Sequence, residues 1–141
     1  MTAETYPWLT ALAAAANAAR LTFEESAASL GEVVLRRPDE LHVRPSGTAF
    51  AGVHTVTLRR GGDRSIQVSA HLDPLSAPTR AELERQIGAG EPLLVSPDQI
   101  GEFDYRVQPA PEWQLPEQSS GVLTVGRGDR VTAVVLELPP G

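Results

Sequence analysis

With no cysteine in the chain there is no thiolate nucleophile or thiolate metal ligand, and the imidazoles are three, His42, His54 and His71, beside 18 carboxylates. The histidines are 12 and 17 residues apart, unlike a zinc ligand set, so neither a metal nor any other cofactor is expected. No phosphate-cradling glycine loop, nucleophile elbow, HExxH or EF-hand loop is present, and the sequence assigns no catalytic residue. His71 and Asp73 share strand parity: they form either an imidazole–carboxylate pair or a solvated strand end beside Pro74. His54 shares parity with Val56 and Leu58 and so points toward the apolar side of a sheet. It is then either a hydrogen-bonded core or edge histidine, or a donor to an anionic ligand in a pocket. Glu137 raises the same alternative, because it shares parity with Val131, Ala133 and Val135. A carboxylate turned inward there needs a cation, whereas one at the strand end is simply exposed. Arg127-Gly-Asp129 has the form of an adhesion tripeptide but lies between two strands, where turn chemistry accounts for it.

These residues sit in a chain of 141, the size of one domain with one core. Its 41% hydrophobic and 21% charged content is that of a globular protein. All 12 basic residues are arginines, and the net charge of −6 repels polyanions. Nucleic acid binding would need a local basic face, and the only adjacent pairs, Arg36–Arg37 and Arg59–Arg60, read as solvated strand ends, so none is expected. No apolar run approaches the roughly 20 residues of a membrane span. The acidic start, with Glu4, does not resemble an export signal, and with the lack of cysteine it suggests a cytoplasmic location.

The elements that must position the candidates follow from periodicity and punctuation. Thr5 is placed to cap a first helix with Pro7 in its opening turn and Trp8, Leu12, Ala15 and Ala19 on one face. Thr22 and Glu25 have capping-box spacing for a second helix ending at Gly31, and Thr79 and Glu82 repeat it for a third. Residues 33–36 and 41–44 predict two strands that pair. Residues 53–58 and 66–72 flank Arg59-Arg-Gly-Gly-Asp-Arg64 and predict an antiparallel hairpin. Residues 103–107 predict a strand within the proline-punctuated stretch 92–116, and residues 122–125 and 131–138 a closing hairpin. The last strand alternates apolar residues on both faces, which predicts that something covers each.

The order of these elements and several local strings resemble the chorismate lyase family and the related ligand-sensing domains of some bacterial transcription regulators. The strings are Thr22-Phe-Glu-Glu-Ser-Ala-Ala-Ser-Leu30, His54-Thr-Val-Thr-Leu58 with the glycine turn and residues 67–74, Leu75-Ser-Ala-Pro78, Pro92-Leu93 and the closing strand to Pro139. One domain spanning 1–141 is expected, with an N-terminal helix in 1–21, and the resemblance covers 22–141. The resemblance implies a pocket in which an arginine of the hairpin strand holds a carboxylate, a leucine lines the cavity and a glutamate of the last strand meets a ring hydroxyl. Leu93 matches the leucine, but His54 stands at the arginine position and Val135 at the glutamate position, with Glu137 two residues beyond.

The expectation is therefore one α+β domain: a single, mainly antiparallel sheet of five to seven strands with about three short helices. Its expected ligand is a small aromatic carboxylate bound by His54, Leu93, Val135 and Glu137, with elimination of pyruvate from chorismate to give 4-hydroxybenzoate as the implied chemistry. The alternative is a non-enzymatic interaction domain, with a protein partner or a second copy docking on a strand edge or on the segment around Trp113.

Overall fold

A computed structural model of the chain describes residues 6–73, 75–87, 90–92, 103–109 and 113–140. Helix α1 runs Pro7–Ala19 with proline in its first turn, where the missing N–H costs nothing. Trp8, Leu12, Ala15 and Ala19 are buried as their spacing requires, joined by Leu9, Ala13 and Ala16. The wide apolar face arises because small alanines let the helix lie close to the sheet. Tyr6 is the N-cap and makes no side-chain cap; Thr5 lies outside the described residues.

Helix α2, Phe23–Leu30, begins at Thr22, but the anticipated capping box does not form. The Thr22 hydroxyl instead donates back to the Ala18 carbonyl at 3.1 Å, tying α2 to the end of α1. Gly31 ends the helix because the chain there runs against the segment Glu40–Pro45: a Cβ would collide with the backbone of Arg44 and Pro45. Strands β1 (Gly31–Arg37), β2 (Glu40–Pro45), β3 (Val53–Arg60) and β4 (Ile66–Leu72) form an antiparallel meander. After β4, α3 spans Arg80–Ile87, and here the capping box is made: Glu82 N–H donates to Thr79 Oγ1 at 3.3 Å and the Thr79 hydroxyl to Glu82 Oε1 at 3.0 Å.

A second meander follows, β5 (Glu91–Pro92), β6 (Phe103–Val107), β7 (Ser120–Val125) and β8 (Val131–Leu138). The two meanders are sealed by β8 pairing antiparallel with β4, giving the order β1-β2-β3-β4-β8-β7-β6-β5. The protein is thus an α+β domain with one wholly antiparallel sheet, seven strands of five residues or more plus the two-residue β5.

On the helix-covered face of the seam Ile66 stands opposite Leu138, Val68 opposite Leu136 and Ala70 opposite Val134, all buried beneath α1. α2 packs over β2, burying Leu41 and Val43. The prediction that both sheet faces are covered is met on one face: among the described residues the helix packing on the seam lies there, and the other face carries Gln67, Ser69, Val135 and Glu137, half-buried or exposed, beside the buried Ala133. Trp113 packs against the core, and Asn17 of α1 donates to its carbonyl at 3.2 Å, so this aromatic fastens its segment to the helix rather than standing free as an interface anchor. No described helix is long and apolar enough to cross a membrane.

Candidate functional site

The residues singled out in the sequence do not assemble a pocket. His54 is exposed, because a bulge between Val53 and Thr55 inserts it as an extra residue. Val53 stands opposite Leu72 and Thr55 opposite His71, leaving His54 with no opposite residue. Its parity with Val56 is broken there, and its Nδ1 lies 2.7 Å from its neighbour's Thr55 Oγ1. Val135 is half-buried on the open face, opposite Ser69 and Val122. Glu137 is exposed on that face, opposite Gln67 and Ser120, and lines only a shallow cleft of about 170 Å³ with Arg59 and Ser65. Leu93 lies outside the described residues. Val131 does not share the face of Glu137 as predicted, since a second bulge opposite Thr124 and Val125 turns it into the core.

The open face does gather the imidazoles. His71 stands opposite Thr55, and His42 opposite Thr57 and Leu35. Partial desolvation, then the neighbouring His42 and His54, push the His71 pKa below the ordinary 6.5. His42 Nε2 is 3.3 Å from Glu40 Oε2, within ion-pair reach but outside hydrogen-bond geometry. Arg59, and after it His42, hold the Glu40 carboxyl below its usual range. No group of three or more metal-ligating side chains is found among the described residues. The suggested His71–Asp73 pair is absent too: Asp73 Oδ1 accepts the Leu75 N–H at 3.0 Å and closes its own turn.

A better-built site lies on the other side of the sheet, where the α1–α2 junction meets the β1–β2 and β3–β4 turns. A cleft of about 550 Å³ is walled by Ala19, Leu21, Phe23 and Ile66 and carries the guanidinium groups of Arg20, Arg60 and Arg64 with the carboxylate of Asp39. Arg59 and Arg60 do not form one solvated pair, because adjacent strand residues point to opposite faces. Arg59 goes to the open face, with Nε and Nη2 donating to Glu40 Oε1 at 3.0 and 2.5 Å. Arg60 goes to the cleft, its guanidinium 4.7 Å from the Phe23 ring centroid, held by Asp39 Oδ1 and the Pro38 carbonyl at 3.2 Å each.

Arg20 follows the last residue of α1, and its Nε is buried with no hydrogen-bond partner. Arg64 is in the left-handed region at φ 70°, which the Gly61–Ser65 turn imposes through Ser65 carbonyl to Gly61 N–H at 2.9 Å and Gly61 carbonyl to Arg64 N–H at 3.0 Å. Asp63 is not among the lining residues; its Oδ1 accepts the Ser65 hydroxyl at 2.6 Å and the Ser65 N–H at 3.0 Å, which lowers its pKa and holds its carboxylate in the turn. Three cations thus face one carboxylate among the lining residues of a protein whose net charge is −6. The sequence signal for this site was the density of arginine in Arg59-Arg-Gly-Gly-Asp-Arg64; what it lacked was Arg20, 40 residues away from Arg60.

The chain matches no protein-family model, and no curated protein or solved structure is similar to it at a significant level.

Proposed function

We propose that the protein binds a small aromatic carboxylate without transforming it, in the cleft of Arg20, Arg60 and Arg64. The observation that carries this reading is the excess of cationic side chains in the cleft, where Arg20, Arg60 and Arg64 line it with Asp39 as the one carboxylate. Guanidinium groups suit a planar carboxylate because their N–H donors form a fixed fork. Leu21, exposed at the cleft, offers apolar surface to a ring, with Phe23 and Ile66 buried behind it. The ligand class agrees with the chorismate lyase resemblance, in which an arginine of this hairpin holds a carboxylate, although Arg60 lies six residues beyond the position that His54 occupies.

Binding without turnover is favoured because the cleft is open on the surface, whereas the elimination needs water excluded and a proton managed. A cytoplasmic metabolite is the ligand source this reading assumes, with no nucleic acid or membrane partner.

Thermal-shift titration with 4-hydroxybenzoate and chorismate, beside the uncharged 4-hydroxybenzyl alcohol, tests it. Ligand at 100 times its dissociation constant stabilises by about 2.7 kcal/mol, so the carboxylates should raise Tm and the alcohol should not. Arg20→Gln should abolish the shift. Arg64→Gly should weaken it while stabilising the unliganded fold by about 0.5–1 kcal/mol, because glycine adopts φ 70° without steric cost. No shift at millimolar carboxylate, or an unchanged response in Arg20→Gln, would reject the site. Pyruvate release from chorismate would show an enzyme in place of a binding domain.

A further inference from the structure

Strand β1 ends the sheet, and on it Val34 and Leu35 are 49% and 37% exposed. A bulge between Val33 and Leu35 leaves Val34 without an opposite residue on β2. It also resets parity. Glu32 opposite Arg44, Leu35 opposite His42 and Arg37 opposite Glu40 lie on the open face, while Val33 opposite Val43 and Arg36 opposite Leu41 lie on the helix-covered face. Edge strands are ordinarily protected by charge and bulges. Here the charges are of opposite sign at the two ends of the strand, an arrangement that repels nothing when the strand meets its own copy.

We infer that β1 is a self-association edge, pairing antiparallel with β1 of a second copy about a twofold axis between Val34 and Leu35. In this register Glu32 faces Arg37 of the second copy, Val33 faces its Arg36 and Val34 faces its Leu35. The Glu32–Arg37 and Val33–Arg36 pairs are matched face for face, as a continuous sheet demands, and the bulged Val34 meets Leu35 at the axis. By symmetry the Glu32–Arg37 pair and the apolar Val34–Leu35 pair each occur twice. The existing partners of these charges do not oppose the exchange: Arg44 to Glu32 and Arg37 to Glu40 are both 3.5 Å apart, and Glu32 and Arg37 are largely exposed. Such surface pairs contribute little to stability.

Sedimentation equilibrium of the full chain from micromolar to millimolar concentration should show a monomer–dimer equilibrium. Glu32→Arg sets like charges across the junction and should weaken the dimer about tenfold or more, each tenfold being 1.4 kcal/mol. The double exchange Glu32→Arg with Arg37→Glu should restore it, and Leu35→Glu should abolish it, with circular dichroism confirming that each variant is folded. A monomer throughout the range overturns the inference. So does a dimer that Glu32→Arg leaves unaltered, or one that the double exchange fails to restore.

Discussion

The difference between His54 and His71 is a difference of one inserted residue. Both are exposed strand histidines, but the bulge leaves His54 outside the ladder while His71 stays in it, opposite Thr55 and Ala133, close enough to His42 and His54 to sense their charge. Because partial desolvation and those neighbours lower the His71 pKa in the folded protein, the unfolded chain takes up the proton first as pH falls. The contribution of His71 is therefore fully present above the unfolded value near 6.5 and is lost as pH drops through the lower folded value. Chemical denaturation across pH 5–8 should show stability declining on the acid side, and His71→Gln should flatten that decline. An equal acid loss in the variant would place its origin elsewhere.

Among elements, the two capping-box strings look alike and behave differently. Thr79 and Glu82 satisfy each other and the helix N-terminus, so Thr79→Ala should cost about 1 kcal/mol. Thr22 makes no cap bond and donates its hydroxyl to Ala18, whose carbonyl also accepts the Thr22 N–H at 2.9 Å. Thr22→Ala should still cost about 1 kcal/mol, since it removes the bond to Ala18 and the 3.2 Å bond with the buried Ser26 hydroxyl while leaving the junction's backbone bond in place, and Ser26→Ala added to it should cost little more. Urea midpoints of Thr79→Ala, Thr22→Ala and Thr22→Ala with Ser26→Ala, compared at equal m, decide this; a full further loss on adding Ser26→Ala would refute the coupling of Thr22 to Ser26. The same junction aims Arg20 into the cleft, so α1 and α2 serve packing and the candidate site together.

For the molecule as a whole, the decisive joint is between β4 and β8, which binds the two meanders through apolar pairs beneath α1. Neighbouring positions on β8 should then differ sharply. Leu136→Ala empties a fully buried site and should cost about 2–5 kcal/mol. Glu137→Ala, one residue on and exposed, should stay within about 0.5 kcal/mol. Thermal unfolding of both variants measures the contrast, and a large loss for Glu137→Ala would indicate a structural role for its carboxylate. Deleting contacts at the seam also removes the pairing of residues far apart in sequence, so folding should slow with Leu136→Ala if the joint forms in the transition state.

Local chemistry alone was enough to determine much of this protein. Helical spacing marked the buried face of α1, glycine and proline punctuation bounded the strands, and the Gly61-Gly62 turn specified the β3–β4 hairpin, because each of these depends on residues within one or two turns of chain. The sequence could not disclose where parity breaks. A bulge costs one residue and carries no composition signal, yet it moved His54, Val34 and Val131 to new environments. Nor could it disclose that β8 closes onto β4, a choice among strand orders settled by which apolar faces fit beneath α1. The arginine cleft depends on both kinds of information: strand alternation separates Arg60 from Arg59, but only the docking of the α1–α2 junction against the hairpin turn brings Arg20 to it. Side chains distant in sequence share a site only after the chain has been packed, and that packing is a property of the whole core rather than of any motif within it.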